Sequence, residues 1–370
     1  MIMGGNLNSH GPNRHARVSI DLEAIRHNYG LLKKTAGDNH LIAVIKADAY
    51  GHGAIEVAKA LMDADAFAVA AVGEAIALRQ AGIKQKILVL GGYLRLQELE
   101  TCIEYQLDPV IHQQCHLDQL LNHADLQGLQ VWVKIDSGMG RLGYALDTVA
   151  GVIEQLGRAA TLGEVRFMTH LASADNLESS FTEQQINVVK DLQLDHYEWG
   201  IANSSGIIGW PDAHNTWVRA GIAMYGANPM SNRKQTAVDL KPVMQMKTLI
   251  LAVNHHRKGD LIGYSNSYTC SKDMKIAVIA AGYADGYPRH KIDTAQIKIH
   301  GQLCDIVGRV SMDMMTVDVS ALETVNVDDE VILFGASPEV NDIADSSETI
   351  AYEILCNVGA HARREYLNKE

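Results

Sequence analysis

The chain has no apolar run long enough to cross a bilayer, no paired-cysteine motif, no low-complexity tract, no internal repeat and no excess of basic charge. Its 32 lysines and arginines stand against 44 acids, for a formal net charge of −12. A surface that displaces counterions from a phosphate backbone needs clustered Lys and Arg, so nucleic acid is excluded as a partner. A membrane is excluded in the same way by the shortness of the apolar runs. The five cysteines, Cys102, Cys115, Cys270, Cys304 and Cys356, are odd in number, scattered and never spaced as C-x-x-C. That usage fits reduced thiols and a cytoplasmic location rather than a disulfide scaffold. His112, Cys115 and His116 carry metal-ligating groups but have no fourth ligand nearby, and no metal is expected. Residues 1–15 are polar, rich in Gly and Asn, and lack the apolar core of a secretory signal, so a mobile extension is expected there.

What the chain does have is length and apolar content: 370 residues, 47% of them hydrophobic. That suffices for a large core, in two domains or in one barrel with an appendage. Short apolar runs alternate with helix-compatible segments up to about Gly226. The runs are Leu41 to Ile45, Phe67 to Ala71, Ile87 to Leu90, Pro109 to Ile111, Val131 to Ile135, Glu164 to Thr169, Tyr197 to Ala202 and Trp217 to Tyr225. Eight such runs predict a closed (β/α)8 TIM-type barrel over residues 16–242, with Gly53 to Met62 and Gly73 to Gln80 among its outer helices. After Pro242 the texture changes to β-rich runs, namely Val243 to Val253, Lys275 to Ala281, Leu303 to Val310, Met314 to Val319 and Glu330 to Phe334. These predict a carboxyl-terminal β domain over 243–370. Ser347 to Val358 reads as a helix capped by Ser346 or Ser347.

Chemistry is expected where barrel strands end. The first run stops on Lys46, followed by Ala47-Asp48-Ala49-Tyr50-Gly51-His52-Gly53, whose glycines permit a tight turn. Desolvation there frees a lysine amine to form an imine with a carbonyl substrate or pyridoxal phosphate, although a lysine snorkelling at a strand edge fits the same spacing. After the fifth run, Asp136-Ser137-Gly138-Met139-Gly140-Arg141 presents an arginine suited to a carboxylate or a phenolate, or else forms a plain turn. His170 ends the sixth run, as a member of a proton network or as a rim histidine. Asn203-Ser204-Ser205 follows the seventh. Arg219, inside the eighth, needs either a structural partner or a cofactor. Loops after the last two strands commonly bind phosphate, and the Ser204 hydroxyl with the Gly221 and Ile222 amides suits that task. In the β domain, Gly263 to Tyr268, Gly282 to Arg289 and Gly308 to Asp313 read by themselves as turns.

In order along nearly the whole chain, the segments Val44 to Gly53, Lys134 to Gly143, Arg219 to Gly226, Gly263-Tyr264-Ser265, Gly282 to Tyr287 and Val310-Ser311-Met312-Asp313 resemble the alanine racemases. The resemblance implies a pyridoxal 5'-phosphate enzyme interconverting L- and D-alanine. It implies Lys46 as the lysine that binds the cofactor covalently, Tyr50, Ser204, Gly221, Ile222 and Tyr352 around the phosphate, and Arg219 facing the pyridine nitrogen. Arg141 then meets the cofactor's phenolic oxygen and the substrate, and Met312, with Asp313 beside it, the substrate carboxylate. Two bases on opposite faces invert a stereocentre, and the resemblance assigns Lys46 to the α-proton of the D-substrate and Tyr264 to that of the L-substrate. A tyrosine, which ordinarily ionises near about 10, is a reluctant base. A network through His170 to Arg219, implied by the resemblance, would ease its ionisation. A homodimer is implied, its sites completed by the partner's β domain. Also implied are Lys134 as a carbamylated support for Arg141, and a narrow substrate passage at Tyr283, Tyr352, Asp175, Arg289 and Arg309. The ending Gly359 to Tyr366 and the first fifteen residues depart from the family's pattern. Rival expectations are a racemase of another small amino acid, such as serine, a pyridoxal-phosphate-dependent decarboxylase on the same fold, and a non-catalytic carrier of the cofactor.

Overall fold

The computed structural model describes residues 14–233, 236, 238–290 and 294–369. Eight parallel strands close a barrel: His40–Val44, Ala66–Val69, Lys86–Val89, Asp108–Ile111, Val131–Lys134, Val165–Met168, Trp199–Gly200 and Trp217–Ala220. The eighth pairs with the first in register, Ile42 opposite Arg219. Each strand falls on one of the expected runs. Ala66–Val69 and Asp108–Ile111 are buried at every position, as strands must be when helices cover one face and the barrel interior the other. The helix Val72–Gln80 shows the matching pattern outside, with Val72, Ala75 and Leu78 buried at helical spacing. On the face of the strands opposite the barrel interior, the Phe167 ring stacks on Trp199 at 5.1 Å between centroids, and burying such a side chain contributes roughly 1.5–3 kcal/mol.

Two strands are much shorter than expected. The seventh run, Tyr197 to Ala202, is a strand only over Trp199–Gly200. The eighth run was read through Tyr225, but the ladder stops at Ala220, and Ile222–Tyr225 forms a single 3-10 turn. The Ser204 hydroxyl oxygen accepts from the Gly221 amide at 2.8 Å and from the Ala223 amide at 3.4 Å, drawing the backbone off the sheet. An apolar run alone does not separate a buried strand from a buried turn.

The barrel unit comprises residues 24–49 and 53–241; a second compact unit gathers, among the described residues, 14–23, 50–52 and 242–369. Six strands of the second unit form a circuit. Met274–Ile279, Met315–Asp318, Gln302–Val307, Gln296–Ile299, Glu330–Phe334 and Met244–His256 neighbour one another in that order, and the last returns to the first. All five expected β runs are strands. Gln296–Ile299 and the flanking strand Arg363–Leu367 went unread in the sequence.

Three expectations need correction. Arg17–Asp21, assigned to the barrel half by a linear division, is a strand of the second unit's sheet, antiparallel to Met244–His256 and parallel to Arg363–Leu367. The helix expected from Ser347 runs over Ala351–His361 with Ile350 as its N-cap residue, while Ser346 closes the preceding helix Val340–Ser346. The mobile extension expected over residues 1–15 lies, up to residue 13, outside the described residues. Arg14 does not fit that expectation, because its guanidinium is paired with Asp285 and Asp313.

Candidate active site

Lys46 stands two residues beyond the first barrel strand, at the head of an uncommon turn. Ala47, Asp48 and Ala49 have φ of 53°, 53° and 55° with ψ of 49°, 48° and 51°, and Tyr50 has φ 52°. Left-handed backbone costs an L-residue roughly 1–2 kcal/mol, so something must hold four in succession. The Glu74 carboxylate accepts from the Ala47 amide at 2.7 Å, and the Asp48 carboxylate accepts from the Ala54 amide at 2.7 Å. The Ala49 amide donates to Ile45 at 2.9 Å and the Gly53 amide to Asp48 at 2.8 Å. The glycines expected to allow a tight turn, Gly51 and Gly53, do sit at positive φ, 82° and 93°. Four residues with side chains precede Gly51 in the same conformation, and strain of that kind persists where the surrounding structure over-determines it. Glu74 and Asp48 were missed as its supports. Glu74 had one sequence signal, its place three residues after a helix N-cap, where its carboxylate also accepts from Ala70 and Ala71.

Around the carboxyl end of the barrel the cations outnumber the acids. Lys134, the last residue of the fifth strand, is lowered to about 8 by burial first and then by Arg219, Arg141 and Lys46, with Asp136 opposing. His170 is lowered to about 3 by burial, then by Arg219, Lys134, Arg141 and Lys46, which keeps it neutral. The residue is half-buried. The Arg219 charge lies close enough to His170 to oppose its protonation. Arg219 is fully buried and is lowered to about 10 by desolvation, so it stays charged at neutral pH. Among the described residues its side chain donates only to backbone carbonyls: Gly200, Thr169 at 2.7 Å and Ile201 at 3.2 Å.

The neighbouring loops supply donors. In the loop that presents Arg141, Asp136 Oδ1 accepts from the Gly138 and Gly140 amides at 2.9 and 3.1 Å. Gly143 is required beside it, since its φ is +138° and a Cβ would lie 2.4 Å from the Asp136 nitrogen. Asn203 caps the helix Ser204–Gly209 by accepting from Gly206 at 2.9 Å. Ser204 is buried, and its oxygen already accepts from Gly221. The hydroxyl proton has no acceptor among the described residues. The barrel thus brings together Lys46, Lys134, Arg141, His170 and Arg219, and sets Ser204 against Gly221.

The second unit carries the remaining expected residues. Gly51 has φ +82°, and a Cβ there would lie 2.3 Å from the Leu355 carbonyl, so only glycine lets the chain run this close to the helix Ala351–His361. That approach sets the Tyr50 ring 5.8 Å from the Tyr352 ring. Tyr264 lies in the short turn Tyr264–Asn266 and is 67% exposed, and Met312 is 54% exposed. The turn holding Met312 abuts the Gly282 loop: Tyr283 donates to the Ser311 carbonyl at 3.1 Å and Ala284 to the Met312 carbonyl at 2.9 Å. Arg309 reaches Ser265 Oγ at 3.5 Å. Asp175, in the barrel unit, uses its carbonyl to accept from Ser231.

A closed parallel barrel with a lysine after its first strand, a cation-rich carboxyl end and a mostly β second unit define a two-domain barrel enzyme. The chain belongs to the alanine racemase family: residues 20–229 match the model "Alanine racemase, N-terminal domain" and residues 243–366 the model "Alanine racemase, C-terminal domain". An alanine racemase of Azoarcus sp. (strain BH72) is 40% identical over 93% of this chain and 97% of its own length. Among solved structures, a biosynthetic alanine racemase from Pseudomonas aeruginosa superposes with a TM-score of 0.93 at 35% identity, covering 96% of this chain and all of the other. An alanine racemase from Bartonella henselae with covalently bound pyridoxal phosphate superposes with a TM-score of 0.86 at 27% identity, covering 96% and 100%.

Proposed function

We propose that this chain interconverts L-alanine and D-alanine with pyridoxal 5'-phosphate as its cofactor and Lys46 and Tyr264 as its two bases. The observation that carries the reading is the convergence of Lys46, Lys134, Arg141 and Arg219 around the half-buried His170 at the barrel's carboxyl end. Arg219, buried among backbone carbonyls with no carboxylate partner among the described residues, is a costly charge unless an anion completes it. The residues fit the cofactor. Ser204 has a spare proton beside the Gly221 and Ile222 backbone to donate to a phosphate, and Tyr50 and Tyr352 lie ring to ring. The family relationship, the motif order and the Bartonella relative's covalently held cofactor support the same group.

Bound, pyridoxal phosphate supplies an electron sink for negative charge at the substrate's α-carbon. In our reading Lys46 holds it covalently, and Ser204, Gly221, Ile222, Tyr50 and Tyr352 hold its phosphate. Arg219 donates to the pyridine nitrogen without giving up a proton, because a guanidinium stays protonated at neutral pH. That restrained contact favours simple proton exchange over deeper charge delocalisation. Arg141 binds the phenolic oxygen and the substrate, and the Met312 amide, next to Asp313, binds the substrate carboxylate. Released when the substrate amine takes its place on the cofactor, the Lys46 amine would take or return the proton on one face of the α-carbon, and the Tyr264 hydroxyl oxygen on the other. His170, neutral and charge-coupled to Arg219, tunes the field around these groups. The protein acts as a homodimer in the cytoplasm. The exposure of Tyr264 and Met312 supports a site completed by a second copy, and the described cysteines are all free thiols, as a reducing compartment requires. Among the described residues no helix is long and apolar enough to cross a membrane.

Tyr264→Phe tests the division of labour. Solvent-deuterium incorporation at the α-carbon should slow by roughly 100-fold or more starting from L-alanine, with a far smaller effect starting from D-alanine. Equal slowing from both enantiomers would refute separate bases.

A further inference from the structure

The geometry points to Arg14 as a positioning residue for the substrate carboxylate, an inference that rests on the reading of the Met312 amide as that carboxylate's donor. Its guanidinium grips two acids at once. Nε donates to Asp285 Oδ1 at 2.6 Å and Nη2 to Asp285 Oδ2 at 2.8 Å, while Nη1 and Nη2 both donate to Asp313 Oδ1 at 3.0 Å. The Asp285 side chain is only 3% exposed, and its Oδ2 also accepts from the Gly282 amide at 3.0 Å. Arg14 therefore joins a buried anchor in one loop to the residue that follows Met312 in another.

The turn at Met312 has little else to fix it. The Met312 side chain is 54% exposed, so packing does not set its backbone. Its hydrogen bonds do: Ser311 donates to Met314 at 2.9 Å, the Ser311 and Met312 carbonyls accept from Tyr283 and Ala284, and Arg14 holds Asp313. The two loops touch closely, since a Cβ on Gly282 would lie 2.3 Å from the Ser311 carbonyl oxygen and 2.4 Å from that of Met312. Charge adds a second role. An unpaired Asp313 carboxylate one residue from an amide that receives a carboxylate would repel it, and Arg14 cancels that repulsion. Both effects act on binding of the substrate's acid group rather than on proton transfer.

The experiment measures steady-state kinetics with each alanine enantiomer, together with competitive inhibition by propionate, which has the carboxylate but no amine. Arg14→Gln should raise KM for both enantiomers and the propionate Ki together by about tenfold, leaving kcat within about twofold. Arg14→Lys keeps the charge without the planar fork and should raise both by about threefold. Absorbance of the bound cofactor should stay as in the unsubstituted protein. A folded variant whose KM and Ki do not move, or one that loses kcat alone, overturns the assignment. If Arg14→Gln does not fold, Arg14→Lys alone decides by the same criterion. Failure of the unsubstituted protein to racemise alanine would instead overturn the proposed function.

Discussion

Two arginines are buried inside the same barrel, and they differ in their company. Arg166, 4% exposed near the amino end, donates to Glu164 and Glu198, reaches Gln130 Oε1 at 2.7 Å, and lies 5.8 and 5.7 Å from the Trp132 and Trp217 rings. Arg219, 5% exposed within the eighth strand, hydrogen-bonds, among the described residues, only to carbonyl oxygens. The first charge is matched by the protein itself. The second is oriented by dipoles and left uncompensated, and it depresses Lys134 and His170 around it. A buried charge with its counter-ion belongs to the fold, whereas one without it marks a site that something else completes.

The sharpest break is at the lysine. Lys46→Ala should abolish racemisation and the absorbance of covalently held cofactor, a loss of roughly four orders of magnitude or more in kcat. Full activity would remove Lys46 from the chemistry. Next, the two arginines should respond in opposite ways. Arg219→Gln should lower kcat/KM by about 100-fold while barely changing the thermal midpoint, since it removes a desolvated charge that has no salt partner. Arg166→Gln should leave kcat near its original value but cost about 3–5 kcal/mol in a denaturant titration, because it strands two carboxylates. Matching effects on stability and activity in the two variants would erase the distinction.

His170 gives the same contrast a pH axis. Its folded value, about 3, lies below the ordinary 6.5. Above 6.5 both states are neutral. As pH falls below 6.5 the unfolded chain takes up a proton that the folded site refuses until about 3, so stability present above 6.5 is lost across that window. The slope attributable to this group should reach at most about 1.4 kcal/mol per pH unit and disappear in His170→Asn, as read by urea melts from pH 7 to 4. The smallest effect belongs to the surface. Arg158→Ala removes an exposed pair, 2.6 Å apart, between Glu154 in the helix Val149–Leu156 and Arg158 just past its end, and should change stability by about 0.5 kcal/mol or less.

The barrel was legible because each strand is a continuous apolar run, buried on both sides and separated by helix-length segments. Arg17–Asp21 and Arg363–Leu367 were not, since their half-exposed patterns specify a strand but not which sheet accepts it. In the site, Lys46, Arg141, His170, Ser204 and Arg219 stood out as polar groups at strand ends. The left-handed turn after Lys46 did not, because Ala47, Asp48 and Ala49 carry no local signal for positive φ. It is imposed by Glu74, twenty-seven residues away in the chain. Arg14 was hidden for a similar reason. Its partners Asp285 and Asp313 lie 271 and 299 residues further on, and nothing in a polar terminal segment announces them.

The most direct test is the ellipticity of L-alanine incubated with the purified protein and pyridoxal phosphate, with L-serine in a parallel cell. The account predicts decay to zero with alanine, far faster than with serine. Constant ellipticity with alanine while the cofactor is bound would contradict it, and so would faster decay with serine, which would keep the two bases and change the substrate.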